Sequence, residues 1–356
     1  MENINNKYIL FGDGKGWFGK LFEEIKGDIN VSIGEDNFAP YKTNIFFHYL
    51  CYILLSSRFR FLPGKNVLSY IIIKYLVCKI RQINKGYAIC IFNQSNKLSH
   101  NKLFLSCIKE KCKNYKLVYW FTDVVSAVER IKPDILELCD DYYDYVITYD
   151  RIDAEKYNFK YIETPYGFPP LTSPSPAKDI DLLYVGKAKL ELDPDRFKKI
   201  IYIYEKALRK KLTVEFYIVG VPAYMQCYQD SIVYNKYISY DEILEKVKRS
   251  KCILEVSQRD ERGTTLRLYE SIAFNTHLLF TNKHLLTHPY YNEESMHYIE
   301  CDDDETIDFG FLNRKVVTQE EQIKKLSPAH FLNEVYHMVS QVNPLNNEII
   351  CEEETK

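Results

Sequence analysis

No CxxC pair occurs among the ten cysteines, and no histidine cluster stands beside the closest two, Cys107 and Cys112. That excludes the usual zinc frameworks and gives no disulfide pattern. Cys51, Cys78, Cys90 and Cys252 sit in apolar runs, where cysteine behaves as a small hydrophobe. A reduced, cytoplasmic protein is expected. Net charge is nearly absent: 47 basic against 49 acidic residues leave −2, which argues against a nucleic-acid binder. Long uncharged apolar runs are missing too. Residues 45–62 include Arg58 and Arg60, and residues 67–78 include Lys74, so neither gives the roughly 18 uncharged residues of a membrane span. The opening Met1-Glu-Asn-Ile-Asn has no basic n-region and no apolar h-region, so no signal peptide is expected. The glycines at 12, 14 and 16 follow a strand signal without meeting the GxGxxG order, which disfavours a nicotinamide oxidoreductase. They suit close approach of an acceptor.

At 356 residues the chain exceeds what one hydrophobic core usually spans, so two domains are expected. The 46% hydrophobic and 27% charged fractions are those of a globular protein. The 30 tyrosines accompany abundant Lys, Asn and Ile, as an AT-rich genome produces, although aromatics with a polar tip also suit carbohydrate surfaces. Charge is unevenly spread: residues 42–117 are basic and the tail from Glu300 is acid-rich. The apolar, basic segments 45–62 and 67–78 fit buried helices, or surface helices in peripheral contact with anionic lipid.

Strand signals alternate with helical ones along the first half. Strands are expected at Lys7–Phe11, 29–33, 87–92, Tyr115–Phe121, 145–149 and 160–163. A long helical region runs over 43–84, broken at Pro63-Gly64. The segment Pro165-Tyr-Gly-Phe-Pro-Pro-Leu-Thr-Ser-Pro-Ser-Pro-Ala177 is the one clear linker. A second alternating set follows, with strands at 180–185, 213–219, 252–256 and 276–281. The expected organisation is an α/β chain with parallel sheets: a first domain at 1–165, a linker at 166–178, a second domain at 179–318, and terminal helices with an acidic tail at 319–356. Ligands in such sheets bind beyond the carboxyl ends of the strands, and a cleft between two such domains is the expected active site.

The most informative stretch is Cys252-Ile-Leu-Glu-Val-Ser-Gln-Arg-Asp-Glu-Arg-Gly-Thr-Thr-Leu-Arg-Leu-Tyr-Glu-Ser-Ile-Ala273. It gives a buried strand, a polar loop and a helix opening on Thr264 and Thr265. The first turn of a helix presents free N–H groups and partial positive charge. Gly263 allows close backbone approach, and Arg262 and Arg267 supply permanent cations. An anionic small molecule, most simply a diphosphate, is the expected ligand. Glu270 could accept hydrogen bonds from a sugar hydroxyl, or pair with Arg267.

The second domain's order is strand-Gly-Lys, helix, strand-Val-Gly, helix, strand, phosphate loop, helix with Glu, strand-Thr-Asn. It resembles the nucleotide-sugar-binding domain of GT-B glycosyltransferases. Gly263-Thr-Thr-Leu-Arg-Leu-Tyr-Glu-Ser-Ile-Ala-Phe-Asn-Thr-His-Leu-Leu-Phe-Thr-Asn282 is similar to enzymes of bacterial lipopolysaccharide and capsular polysaccharide synthesis, with a C-terminal domain like those of families 1 and 4. The segment Asp144-Tyr-Val-Ile-Thr-Tyr-Asp-Arg-Ile-Asp-Ala-Glu-Lys-Tyr157 extends the likeness, which covers about residues 140–285. The resemblance implies two Rossmann-like domains with parallel sheets facing across a cleft. It implies transfer of a sugar from a nucleotide-sugar donor to a glycan or lipid-linked glycan acceptor. Gly186 and Lys187 would approach the diphosphate with Arg262, Gly263, Thr264, Thr265 and Arg267. Glu270 would bond the ribose, and Gly220, Tyr237 and Ile238 would frame the base. Many retaining members carry two glutamates eight positions apart. Here that earlier position is Arg262, with Glu261 beside it, so retention and inversion both stay open. A catalytically inert GT-B-like protein that binds glycan or a partner is the competing reading.

No DxD motif stands in a matching context: Asp302-Asp-Asp304 lies in the late acidic segment and is expected to be a solvated turn. No essential metal and no cofactor are therefore expected. An inverting reaction needs a general base near the acceptor. Asp123, after the strand ending at Phe121, is the best placed candidate, and Asp13 and His48 are alternatives. Asp123 could instead cap the following helix.

Overall fold

The computed structural model describes residues 7–12, 17–28, 30–33, 65–83, 86–167, 177–191, 193–258, 262–301, 307–316 and 320–341. The chain divides into two compact units, Met1–Pro169 with Leu326–Lys356, and Pro170–Lys325. The expected helix over 45–62, the linker interior at 168–176 and the tail beyond 341 lie outside the described residues.

Among its described residues, the first unit has strands β1 (Lys7–Phe11), β2 (Val31–Ile33), β3 (Ala88–Asn93), β4 (Tyr115–Phe121), β5 (Tyr145–Thr148) and β6 (Lys160–Tyr161). They form one parallel sheet in the order β2-β1-β3-β4-β5-β6. β3 is buried along its whole length, which explains why its sequence is a continuous apolar run rather than an alternating one. The unit's helices are α1 (Trp17–Leu21), α2 (Lys65–Ile83), α3 (Lys102–Lys111), α4 (Val125–Ile131), α5 (Ile135–Tyr142) and α6 (Arg151–Tyr157). Local chemistry starts two of them. Asn101 accepts from the Phe104 N–H at 3.0 Å at the head of α3, and Asp150 accepts from the N–H groups of Ile152 and Asp153, both at 2.9 Å, at the head of α6.

Side chains alternate across β4, so the sheet has two aromatic layers. On one face Phe11 stacks on Phe92 at 4.1 Å, and Tyr119 meets Tyr143 at 5.0 Å. On the other Trp120 packs against Phe18 and against Phe331 at 5.0 Å. Phe331 belongs to the C-terminal helix Pro328–Ser340, so that helix returns to the first sheet. Backbone bonds seal the return: the Tyr166 N–H donates to the Leu326 carbonyl at 2.7 Å and the Gly167 N–H to the Leu21 carbonyl at 2.6 Å. A Cβ at Gly167 would lie 2.7 Å from the Leu21 carbonyl oxygen, so only glycine fits there without a backbone shift. The sequence sets 319–356 apart as a terminal segment; of it, the structure places Leu326 and the helix Pro328–Ser340 in the first unit.

Among its described residues, the second unit has strands β7 (Ile180–Lys187), β8 (Val214–Val219), β9 (Ile232–Tyr234), β10 (Ser250–Glu255), β11 (His277–Phe280) and β12 (Met296–Tyr298). All are parallel, in the order β12-β11-β10-β7-β8-β9. Its helices are α7 (Pro194–Arg209), α8 (Tyr240–Arg249), α9 (Leu266–Ala273) and α10 (Glu320–Lys325); the C-terminal helix is then α11. α7 starts on Asp193 with proline at its first position and buries Phe197, Ile200, Ile203, Tyr204 and Ala207, one stripe of a 3.6-residue period. α8 starts on a reciprocal capping box between Ser239 and Glu242. The edge strands β9 and β12, three residues each, give too short a pattern to be seen in the sequence. Below the sheet, the Lys178 ammonium donates to the Asn275 carbonyl at 2.7 Å, the Thr276 hydroxyl at 2.9 Å and the Ser250 carbonyl at 3.0 Å. It fixes the chain's entry into β7.

Candidate diphosphate site at the switch point of the second sheet

From β7 the chain winds outward to β8 and β9, and from β10 it winds the other way to β11 and β12. The connections therefore diverge at the carboxyl ends of β7 and β10, leaving a crevice there of the kind in which α/β sheets bind ligands. β7 ends in Gly186 and Lys187. β10 ends at Glu255, and its loop returns through Arg262–Thr265 to α9. The two chain segments expected to hold a diphosphate thus meet at one edge of one sheet.

Gly186, Gly263 and Thr265 are each fixed by their surroundings. A Cβ at Gly186 would lie 2.6 Å from the Tyr184 hydroxyl, and Tyr184 is buried, so a side chain there is excluded without moving the core. Thr265 is the N-cap of α9: its Oγ1 accepts from the Arg267 N–H at 3.2 Å and donates to the Glu255 carboxylate at 2.8 Å. The buried Asn282 donates from Nδ2 to the Gly263 carbonyl at 3.2 Å, while its Oδ1 accepts from the His284 N–H at 3.1 Å. The loop is held from β10 by Glu255 and from β11 by Asn282. Sequence reasoning gave neither residue a role. The signal available was the charge of Glu255 at the end of an apolar strand.

Arg267 and Glu270 bond to each other. Glu270 is fully buried, and its other oxygen accepts from the Tyr240 hydroxyl at 2.9 Å. Burial raises the Glu270 carboxyl above the usual carboxylate range, against the opposing pull of Arg267 and Tyr240. Arg267 also donates to the Val185 carbonyl at 3.3 Å, which ties α9 to the end of β7 beside Gly186. Of the two roles open to Glu270 in the sequence, pairing with Arg267 is the one seen. Tyr240, the first residue of α8, is a third partner that the sequence did not suggest.

The remaining expected residues spread along the same sheet edge. Lys187 and Arg262 are exposed, and Gly263 and Thr264 are buried. Gly220 has φ +84°, a left-handed conformation that favours glycine, and its N–H donates to Asn235 at 2.8 Å. Tyr237 is 86% exposed and Ile238 half-buried, in the segment from β9 to α8. Arg262 also lines a cavity of about 970 Å³ on the β10–β12 side, with Ser257, Thr281 and Tyr298.

In the first unit, Asp123 follows β4 and is exposed; its carboxylate accepts from Gln94 Nε2 at 2.7 Å. Gln94 follows β3, and its amide oxygen in turn accepts from the N–H groups of Thr122 and Asp123. Asp123 does not cap α4. Val124 is the cap residue, and Asp153 of α6 accepts from the Val125 N–H at 2.7 Å. Asp13, Gly14, Gly16, His48, Glu261 and Asp302–Asp304 lie outside the described residues. Among the described residues no three His, Cys, Asp or Glu side chains gather as a metal site.

No protein-family model and no curated protein matches the chain. Solved structures do. An alpha,alpha-trehalose-phosphate synthase (UDP-forming) from Burkholderia vietnamiensis is 11% identical, with 95% of this chain and 98% of that chain covered and a TM-score of 0.53. The Burkholderia multivorans enzyme is 12% identical over 95% and 98% of the two chains, with a TM-score of 0.51. That of Burkholderia xenovorans, solved in complex with glucose-6-phosphate, is 9% identical over 94% and 99%, with a TM-score of 0.50. At such identities the likeness speaks for the fold: the chain has the GT-B architecture of two Rossmann-like units.

Proposed function

We propose that the protein is a glycosyltransferase that binds the diphosphate of a nucleotide sugar at the β7/β10 crevice and transfers the sugar to a glycan acceptor of the surface-polysaccharide type. The observation that carries this reading is the convergence of Gly186-Lys187 and the capped start of α9 at the switch point of one sheet. Glycosyl transfer requires stabilisation of the leaving diphosphate as charge develops on it. The α9 N–H groups, Lys187 and Arg262 supply positive charge without a metal, and Arg267 holds the helix start against β7. Gly220, Tyr237 and Ile238 frame the base on the β8–β9 side. Asp123, exposed at a strand end, acts as general base if the reaction inverts.

One observation favours the inert alternative: Glu270 and Arg267 satisfy each other, so the carboxylate is not presented to a ribose. Nucleotide binding and turnover separate the two readings. UDP or GDP is expected to raise the melting temperature of the full chain, and one of a panel of sugar nucleotides is expected to be consumed. Lys187→Ala, at an exposed position, is expected to leave folding intact and weaken nucleotide affinity roughly tenfold, the scale of one charge-assisted hydrogen bond. Glycan binding with no nucleotide effect on stability or turnover would leave the inert reading standing.

The lipid-linked acceptor suggests a membrane surface. No helix among the described residues is long and apolar enough to cross a membrane. On α2, however, Val67 is 65% and Ile71 56% exposed, with Leu68 and Tyr75 on the same side. Lys74 lies 4.3 Å from the Tyr70 ring centre at one flank, and Lys79 stands at the other. An apolar stripe between lysines suits the interface of anionic lipid. Flotation with phosphatidylglycerol vesicles is expected to recover the chain, and Val67→Glu/Ile71→Glu to abolish recovery. Equal flotation of that variant would remove α2 from the account.

A further inference from the structure

We infer that the sugar carried by the donor bears an anionic substituent, held in the cavity on the β10–β12 side of the diphosphate crevice. The inference rests on the nucleotide-sugar reading and names the class of sugar. Its starting point is order along the sheet. With the base on the β8–β9 side and the diphosphate at β7/β10, the sugar falls toward β10, β11 and β12. There lies the cavity of about 970 Å³, large enough for a glycosyl group. Ser257, Thr281 and Tyr298 line it from the carboxyl ends of those strands, and the opening turns of α7 form another wall. Arg262 enters it from the loop whose following residues start α9, so one short segment lines the cavity and leads into the diphosphate cradle.

Four basic side chains, Lys198, Lys199, Arg262 and Lys283, and two carboxylates, Asp193 and Asp195, line this space. Both carboxylates have local work. Asp193 accepts from the Arg196 N–H at 3.3 Å as the cap of α7, and Asp195 pairs with Lys198 at 2.9 Å. Lys199, Arg262 and Lys283 enter none of the ion pairs seen among the described residues. The start of α7 adds partial positive charge to the same wall. A neutral sugar in this space would strip water from cations and return only hydroxyl dipoles. A carboxylate or phosphate on the sugar returns full charge, and Arg262 can bind either bidentately. Ser257 and Thr281, whose hydroxyls lie 3.3 Å apart, add polar groups to the same lining.

The test uses three sugar phosphates that need no nucleotide base: glucose 1-phosphate, glucuronic acid 1-phosphate and glucose 1,6-bisphosphate, titrated calorimetrically into the full-length chain. At least one of the two doubly anionic sugars is expected to bind about tenfold or more tightly than glucose 1-phosphate, or about 1.4 kcal/mol. Preference for glucuronic acid 1-phosphate assigns a carboxylate, and preference for the bisphosphate assigns a phosphate. Lys199→Gln/Lys283→Gln is expected to reduce the advantage at least threefold, with Arg262 retained, while glucose 1-phosphate still binds. Equal affinity for all three sugars, or an advantage undiminished by the double substitution, overturns the inference and leaves the nucleotide-sugar reading untouched. Failure of all three sugars and of UDP and GDP to bind overturns both.

Discussion

Arg267→Ala is expected to destabilise the second unit by about 3 kcal/mol or more, because it strands a carboxylate that has no access to water. Glu270 would keep only the Tyr240 hydroxyl of its observed partners, and α9 would lose its tie to the Val185 carbonyl. The sign of the pH dependence follows from the Glu270 shift. Burial already holds its folded-state affinity for a proton above that of the unfolded chain, so the folded state binds more protons in the window above the ordinary carboxylate range. Stability falls as pH rises through that window. Loss of Arg267 widens the window upward, so the variant should be closest to wild type at low pH and furthest from it near neutrality. Arg267→Met/Glu270→Leu removes both charges and is expected to recover most of the loss. Amide hydrogen exchange in α9 and β10 across a pH series checks all three statements. A uniform cost at every pH, with no recovery in the double variant, would mean that the pair is not the source of the stability.

Phe331→Ala is expected to cost the first unit about 3–4 kcal/mol, the usual range for truncating a fully packed aromatic ring. Phe331 is 2% exposed and meets the rings of Trp120 at 5.0 Å and Phe22 at 5.8 Å, so the cavity left behind would have rigid walls. Both tryptophans of the chain, Trp17 and Trp120, lie in this unit, so their fluorescence in a urea titration follows it selectively. A lower midpoint at unchanged slope is the expected result. An unchanged midpoint would show that α11 does not complete the first core.

The sequence made the two sheets and the crevice legible for one reason: parallel strands buried on both faces write continuous apolar runs, and their carboxyl ends are marked by glycine and polar residues. Lys7–Phe11 and Tyr115–Phe121 fall at the bounds read from sequence. Thr265 was legible as a helix start because a capping hydroxyl precedes an amphipathic run. The return of α11 to the first unit was not, since it rests on Phe331 meeting Trp120 across 211 positions of chain, and no local pattern encodes such a contact. Tyr240 and Asn282 were missed for the same reason. Each acts at a distance, on Glu270 thirty positions on and on Gly263 nineteen back. Glu270 itself was named, but whether a glutamate faces a ligand or its own helix is decided by burial, which a single sequence does not carry.

A nucleoside diphosphate is expected to bind at the β7/β10 crevice of the second unit. Amide hydrogen exchange of the full-length chain with and without UDP or GDP tests it most directly. The account predicts added protection at the end of β7 around Gly186-Lys187 and across Gly263–Leu268, with smaller protection near Gly220. Protection confined to other segments, or none at nucleotide concentrations that saturate ordinary sugar-nucleotide enzymes, would contradict it.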